Sequence, residues 1–126
     1  MSKLFYYDHG LIIVTAFLTG TKRKSFPVLM ALDTGSTLTI INPGVLEKVG
    51  VNFEERSTIL HGISEKVEAP LAKLQAMKVA DATNTDLLVA SHQFISNYPI
   101  EGVIGNSFFL NHKLTIDFPN QTIVIE

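Results

Sequence analysis

Short apolar runs rich in Val, Ile, Thr and Phe, most of them bounded by Gly, Asn, Asp or Pro, recur along nearly the whole chain. β-Branched and aromatic residues suit a pleated, half-buried surface, and the bounding residues suit turns. The pattern therefore predicts strands and turns. Strands are expected at Leu4–Tyr7, Leu11–Leu18, Phe26–Leu32, Leu38–Ile41, Ser57–Leu60, Val67–Val79 with a break, Leu87–Ser91, Gly102–Ile104, Lys113–Phe118 and Thr122–Ile125. Pro119-Asn120-Gln121 is a hairpin turn between the last two. Two short helices are expected. Asn42 offers an N-cap, Pro43 the first helical position and Gly50 a C-terminal stop, and Asn106–Asn111 can form about one turn. The expected fold is all-β with one or two short helices, in a closed or nearly closed barrel-like sheet. Its 126 residues suit a single domain over 1–126, with no room for two cores.

Several functional classes are disfavoured. The net charge is -2 and no basic block stands out, so nucleic acid is not an expected partner. Lys22, Arg23 and Lys24 form the one tight basic cluster and read as a solvated turn. Leu11–Leu18 is too short for a bilayer, which needs about 20 apolar residues. It reads as a buried strand, so no membrane association is expected. The chain has no cysteine, which removes disulfides, thiol catalysis and thiolate metal sites together. That suits a reducing compartment, and a cytoplasmic location is expected. The histidines His9, His61, His92 and His112 show no close metal-ligand spacing and read as surface or loop residues, so no metal is expected.

The stretch Val28–Thr37 is the one that carries chemistry. Five apolar residues run into Asp33, followed by Thr34, Gly35, Ser36 and Thr37. Burying an acid after such a strand is costly unless it is hydrogen-bonded or functional. The neighbouring hydroxyls can bond it, and Gly35 lets a backbone N–H approach it without a Cβ in the way. A plain turn after a strand accounts for the tripeptide alone equally well. Ala31–Ser36 and Gly102–Ser107 also echo each other faintly, both running apolar residues into Gly and Ser.

Leu32-Asp33-Thr34-Gly35-Ser36-Thr37 resembles the active-site signature of aspartic proteases. Ile100–Leu110, with Gly102-Val103-Ile104-Gly105 at its centre, resembles the second hallmark of the single-domain, retropepsin-like branch. Leu114–Phe118 and Thr122–Ile125 resemble its closing hairpin, and Thr58–Ile63 falls where that branch carries its flap. The resemblance spans nearly the whole chain in order. It implies a mostly β fold, endopeptidase activity on peptide or protein substrates, and no cofactor. It makes Asp33 the catalytic carboxylate, has Thr34 brace the two loops across a dimer axis, and has Gly35 keep the loop tight. Ser36, His61, Gly62, Ile63 and Ile104 are expected to face substrate, with Ile104 and Gly105 also packing behind the loop. Viral members follow the motif with acidic residues and place an Arg after the second Gly. Here those places hold Thr37, Leu38 and Asn106, so that ion-pair network cannot form and the chain sits with the cellular and microbial members.

The chain has one Asp-Thr-Gly. Water-based peptide hydrolysis needs one group to take a proton while another gives one, and a single carboxylate cannot be both. Two carboxylates about 3 Å apart, the established arrangement in aspartic proteases, cannot both ionise and share one proton. The resemblance therefore implies a homodimer with Asp33 from each copy, working best at acidic to mildly acidic pH. A non-catalytic, dimeric peptide-binding module of the same fold is the alternative, gripping an extended peptide by strand addition. An unrelated β-barrel with a chance Asp-Thr-Gly is the third reading. Ser36 lacks the elbow of a serine nucleophile. Glu101 reads as a cleft-edge or solvated acid, Asp117 as an exposed hairpin position, and Phe108 and Phe109 as core.

Overall fold

The structure is a computed structural model and describes residues 3–61, 65–93 and 99–126. In chain order the elements are β1 (Lys3–Leu4), β2 (Tyr6–Asp8), β3 (Leu11–Thr19), β4 (Phe26–Leu32), β5 (Thr39–Ile41), α1 (Pro43–Val49), β6 (Asn52–His61), β7 (Lys66–Val79), β8 (Ala82–Ser91), β9 (Gly102–Ile104), α2 (Asn106–Phe109), β10 (Leu114–Asp117) and β11 (Thr122–Ile125). Strands β3, β4, β9, β5, β8 and β7 pair in that order, and β7 returns to β3 through Ala16↔Val79 to Thr19↔Ala76. A six-stranded barrel closes by this last pairing, with β2 and β6 hanging from it. A second sheet, β1-β11-β10, lies beside it.

The mostly β, closed-barrel expectation is met. The core holds the inward residues of these strands, with Leu18, Met30, Ile41, Leu74, Met77, Ile104 and Phe108 fully or almost fully buried. Leu11–Leu18 is a barrel strand, and Phe108 and Phe109 are buried. Helix α1 begins at Pro43 and stops at Gly50, whose φ of 87° belongs to the left-handed region that glycine enters without a Cβ penalty. The side chain of Asn42 does not cap the helix as expected. Its amide donates to the Glu101 carboxylate at 3.0 Å instead, a charged acceptor that makes the stronger bond.

Four strand bounds differ from expectation for identifiable reasons. Leu4–Tyr7 is split because Phe5 is buried and its N–H donates to the Gln121 carbonyl while the chain crosses between sheets. Strand β6 starts five residues earlier than Ser57. Its Glu54-Glu55-Arg56 segment carries no apolar alternation, as suits an edge strand paired on one side only. Strand β7 runs without a break through Pro70, which lies before β8 joins it, where only one neighbouring strand is present. Strand β8 starts at Ala82, directly after the two-residue turn that pairs Val79 with Ala82.

Candidate active site

The loop of residues 33–38 joins β4 to β5, yet these two strands are not neighbours. Strand β9 lies between them, parallel to β4 through Ala31↔Val103 and Leu32↔Ile104, and antiparallel to β5 through Ile40↔Val103. The two segments that echo each other in sequence thus run side by side. The loop is fastened to the end of β9 and the start of α2 by a series of hydrogen bonds. The Asp33 N–H donates to the Ile104 carbonyl (2.9 Å), the Asn106 N–H to the Ser36 carbonyl (2.8 Å) and the Ser107 N–H to the Thr37 carbonyl (2.9 Å). Each bond ties the loop to a segment about 70 residues away, so its shape is fixed by the fold and not by its own sequence alone.

Two side chains complete this brace, and sequence reasoning assigned neither a role. Thr39 is fully buried, and its hydroxyl oxygen accepts from the Gly105 N–H at 3.1 Å and from the Ser107 hydroxyl at 3.3 Å. The Thr39 N–H in turn donates to Ser107 Oγ at 3.0 Å. The available signal was a hydroxyl set inside the apolar run Leu38–Ile41. Thr39→Val is expected to leave the Gly105 N–H buried without a partner and to lower stability by about 1–3 kcal/mol. Thr39→Ser keeps the hydroxyl and should recover most of that loss in thermal melts.

Asp33 itself is exposed in the single chain, as are Thr34 and Gly35. The Gly35 N–H donates to Asp33 Oδ1 at 2.9 Å, and the Ser36 N–H to the Asp33 carbonyl at 3.1 Å. A Cβ at position 35 would lie 3.1 Å from that carboxylate oxygen, so glycine suits the close approach. The Ser36 hydroxyl donates to the Leu38 carbonyl at 2.7 Å and is committed to the loop. The carboxylate is thus held from one side and presented to open space on the other.

Strand β6 and the first part of β7 form a ribbon above this loop. Residues 57–61 and 66–70 pair with each other, while β8 joins β7 only from Leu71. Between ribbon and loop lies a cavity of about 330 Å³, lined by Gly35, Ser36, Thr37, Leu38, Ile40, Thr58, Ile59, Leu60 and His61. Ser36 and His61 therefore meet at one cavity, beside the segment that carries Asp33. Gly62 and Ile63 lie outside the described residues. Ile104 is fully buried in the core, so it supports the loop from behind and does not line this cavity. Glu101 borders a different hollow, beside Asn42 and Lys48. His112 is half-buried, stacks on Phe108 and bonds Asn84, so it is a packing residue and not a surface one.

Asp117 holds the β10–β11 turn. Its carboxyl lies below the ordinary 3.8 because the Asn120 side-chain amide, and then the Asn120 N–H, donate to it. A lowered pKa in the folded state adds stability above the unfolded value, and that stability is lost as pH falls through the folded value. Asp117→Asn should therefore remove a small acid-side slope below about pH 4 from the stability profile, as read by denaturant melts across pH. Among the described residues no cluster of His, Cys, Asp or Glu could hold a metal ion, and no helix is long and apolar enough to cross a membrane.

A family model for aspartyl proteases matches residues 19–108, well over half of the chain and the whole of the braced loop. No curated protein matches the chain. Among solved structures, the chain is similar to a retropepsin-like aspartic protease from Rickettsia conorii. The TM-score is 0.70 at 15% identity, over 99% of this chain and 90% of that one. The family match over residues 19–108 places this chain in the aspartyl protease family, and its barrel shares the retropepsin-like fold.

Proposed function

We propose that the protein is an aspartic endopeptidase that cuts peptide bonds as a homodimer, each copy a single catalytic domain spanning 1–126. The observation that carries this reading is the exposed Asp33 carboxylate, held by the Gly35 N–H on a loop braced across the fold and set beside a cavity closed by a two-stranded ribbon. One carboxylate per chain cannot serve as acid and base together, so a second copy supplies its Asp33 across a twofold axis. The pair shares one proton. The ionised member takes a proton from water as the water attacks the carbonyl carbon, and the protonated member gives its proton to the carbonyl oxygen. The resulting diol then collapses, its C–N bond breaking as the amine nitrogen takes the proton gained from water and a diol hydroxyl returns one to the pair. Thr34 braces the two loops at the axis, and Ser36 and His61 border the peptide. The ribbon offers backbone groups to an extended substrate in the manner of an added strand. The cysteine-free sequence supports the cytoplasm as its location.

Dilution tests this reading. Cleavage of a denatured protein, measured with a fluorogenic casein, should show a specific activity that falls as the enzyme is diluted through its dissociation range, and a statine-type transition-state analogue should block it. A constant specific activity at concentrations where sedimentation finds only single copies sinks the homodimer mechanism. Peptide binding with no cleavage at any acidic pH points instead to a binding module.

A further inference from the structure

A second surface, around α1, carries a pattern that the protease reading does not use. The turn between β3 and β4 holds Lys22, Arg23 and Lys24, and Lys48 lies in the last turn of α1. This turn is not loose. The N–H groups of Thr21, Lys22 and Arg23 donate to the carbonyls of Gly50 and Val49 at 2.8–3.1 Å, and the Gly20 N–H closes it on the Arg23 carbonyl. Lys48 Nζ sits 5.5 Å from the centre of the Phe26 ring, which positions a second cation next to the first group. None of Lys22, Arg23, Lys24 or Lys48 takes part in an ion pair among the described residues. One cation at a helix C-terminus complements the helix dipole; four unpaired ones on a protein of net charge -2 exceed what that requires.

Two hollows of about 380 Å³ each adjoin these cations. One is lined by Lys22, Arg23, Gly44, Glu47 and Lys48. The other runs from Lys22 past Pro43, Leu46 and Val51 to Phe53, which is 56% exposed. Cationic and apolar hollows share Lys22 and Glu47, so a ligand lying across both meets positive charge at one end and an aromatic face at the other.

From this we infer that the α1 face is a docking surface for a short acidic peptide segment that carries an apolar side chain, its carboxylates on Lys22, Arg23 and Lys48 and its apolar group against Phe53. Charge complementarity favours this occupant. A polyanion of regular phosphates needs a longer basic track than Lys22, Arg23 and Lys48 provide. The inference does not rest on the protease reading.

The test uses full-length Asp33→Asn protein, so that the probe stays intact whether or not the parent is a protease. The probe is a fluorescein-labelled peptide of Glu and Asp around one central Phe, read by anisotropy at low salt. Substituting Lys22, Arg23 and Lys48 together by Ala should weaken binding at least about tenfold, as expected for the loss of several exposed charge contacts. Lys73→Ala with Lys113→Ala, both exposed elsewhere, should leave it unchanged. Phe53→Ser should weaken it about threefold, and the same peptide with Gln and Asn in place of the acids should bind at least about tenfold more weakly. Equal binding by the triple variant overturns the inference. So does equal weakening by the lysine control, or tighter binding of a single-stranded oligothymidylate than of the peptide.

Discussion

Asp33→Asn is expected to abolish peptide cleavage, by at least about a thousandfold in kcat/KM, while leaving the fold intact. The carboxamide is nearly isosteric, and its oxygen can accept the same bond that the Gly35 N–H now donates to Asp33 Oδ1. It cannot take a proton from water or pass one on, so in the proposed homodimer a pair of carboxamides at the axis keeps the shape and loses the chemistry. Because Asp33 is exposed in the single chain, the melting temperature should stay within about 2 °C of the parent. In the proposed homodimer it should rise, because two acids no longer press together at the axis. Cleavage at the parental rate by this variant ends the mechanism, and a collapse of the melt would mean the carboxylate is structural.

Gly105→Ala should be severely damaging, although the change is a single methyl group. A Cβ there overlaps the Leu38 carbonyl oxygen and stands 2.6 Å from its carbon and 2.7 Å from the Ser36 carbonyl oxygen. All three are backbone atoms of the loop that carries Asp33, so no side chain can swing aside to make room. Either the loop moves or β9 does, and both break the bonds between residues 33–39 and 104–107. We expect a loss of about 2–4 kcal/mol, a fall of roughly 10 °C in Tm, and little remaining activity, since a shift of about 1 Å at a catalytic group costs on the order of a hundredfold. Gly44→Ala is the matched control. Nothing lies within 4 Å of a Cβ there, and the site is exposed in α1, so it should be neutral or stabilising by up to about 1 kcal/mol. Equal melts for the two variants would show that the brace does not hold the loop.

The sequence displayed the loop and concealed its supports. Asp33, Thr34 and Gly35 are contiguous, and both β4, which leads into them, and the distant β9 carry apolar runs bounded by turn residues, so these two strands were legible to the residue. That β9 slides between β4 and β5 is a pairing across about 70 residues, which no local pattern encodes. Thr39 and Ser107 bond each other across the same gap and look, in sequence, like ordinary members of a strand and a helix start. Ile104 was expected to serve both substrate and core, and apolarity alone cannot separate those duties; only its full burial does. The charged start of β6 was invisible for the opposite reason, because an edge strand needs no apolar face to be held by one neighbour.

The two-stranded ribbon of residues 57–61 and 66–70 has a thermodynamic corollary. An isolated pair of strands is marginal in water, and this one is secured only at its base, where the end of β8 joins β7 at Leu71. Its backbone amides should exchange with deuterium through brief local openings that cost far less than global unfolding, whereas those of Met77 and Val79, which pair with both β3 and β8 in the closed barrel, should exchange only when the whole protein opens. On the proposed reading, a long, extended guest enters and leaves by the peeling back of one edge while the core stays shut.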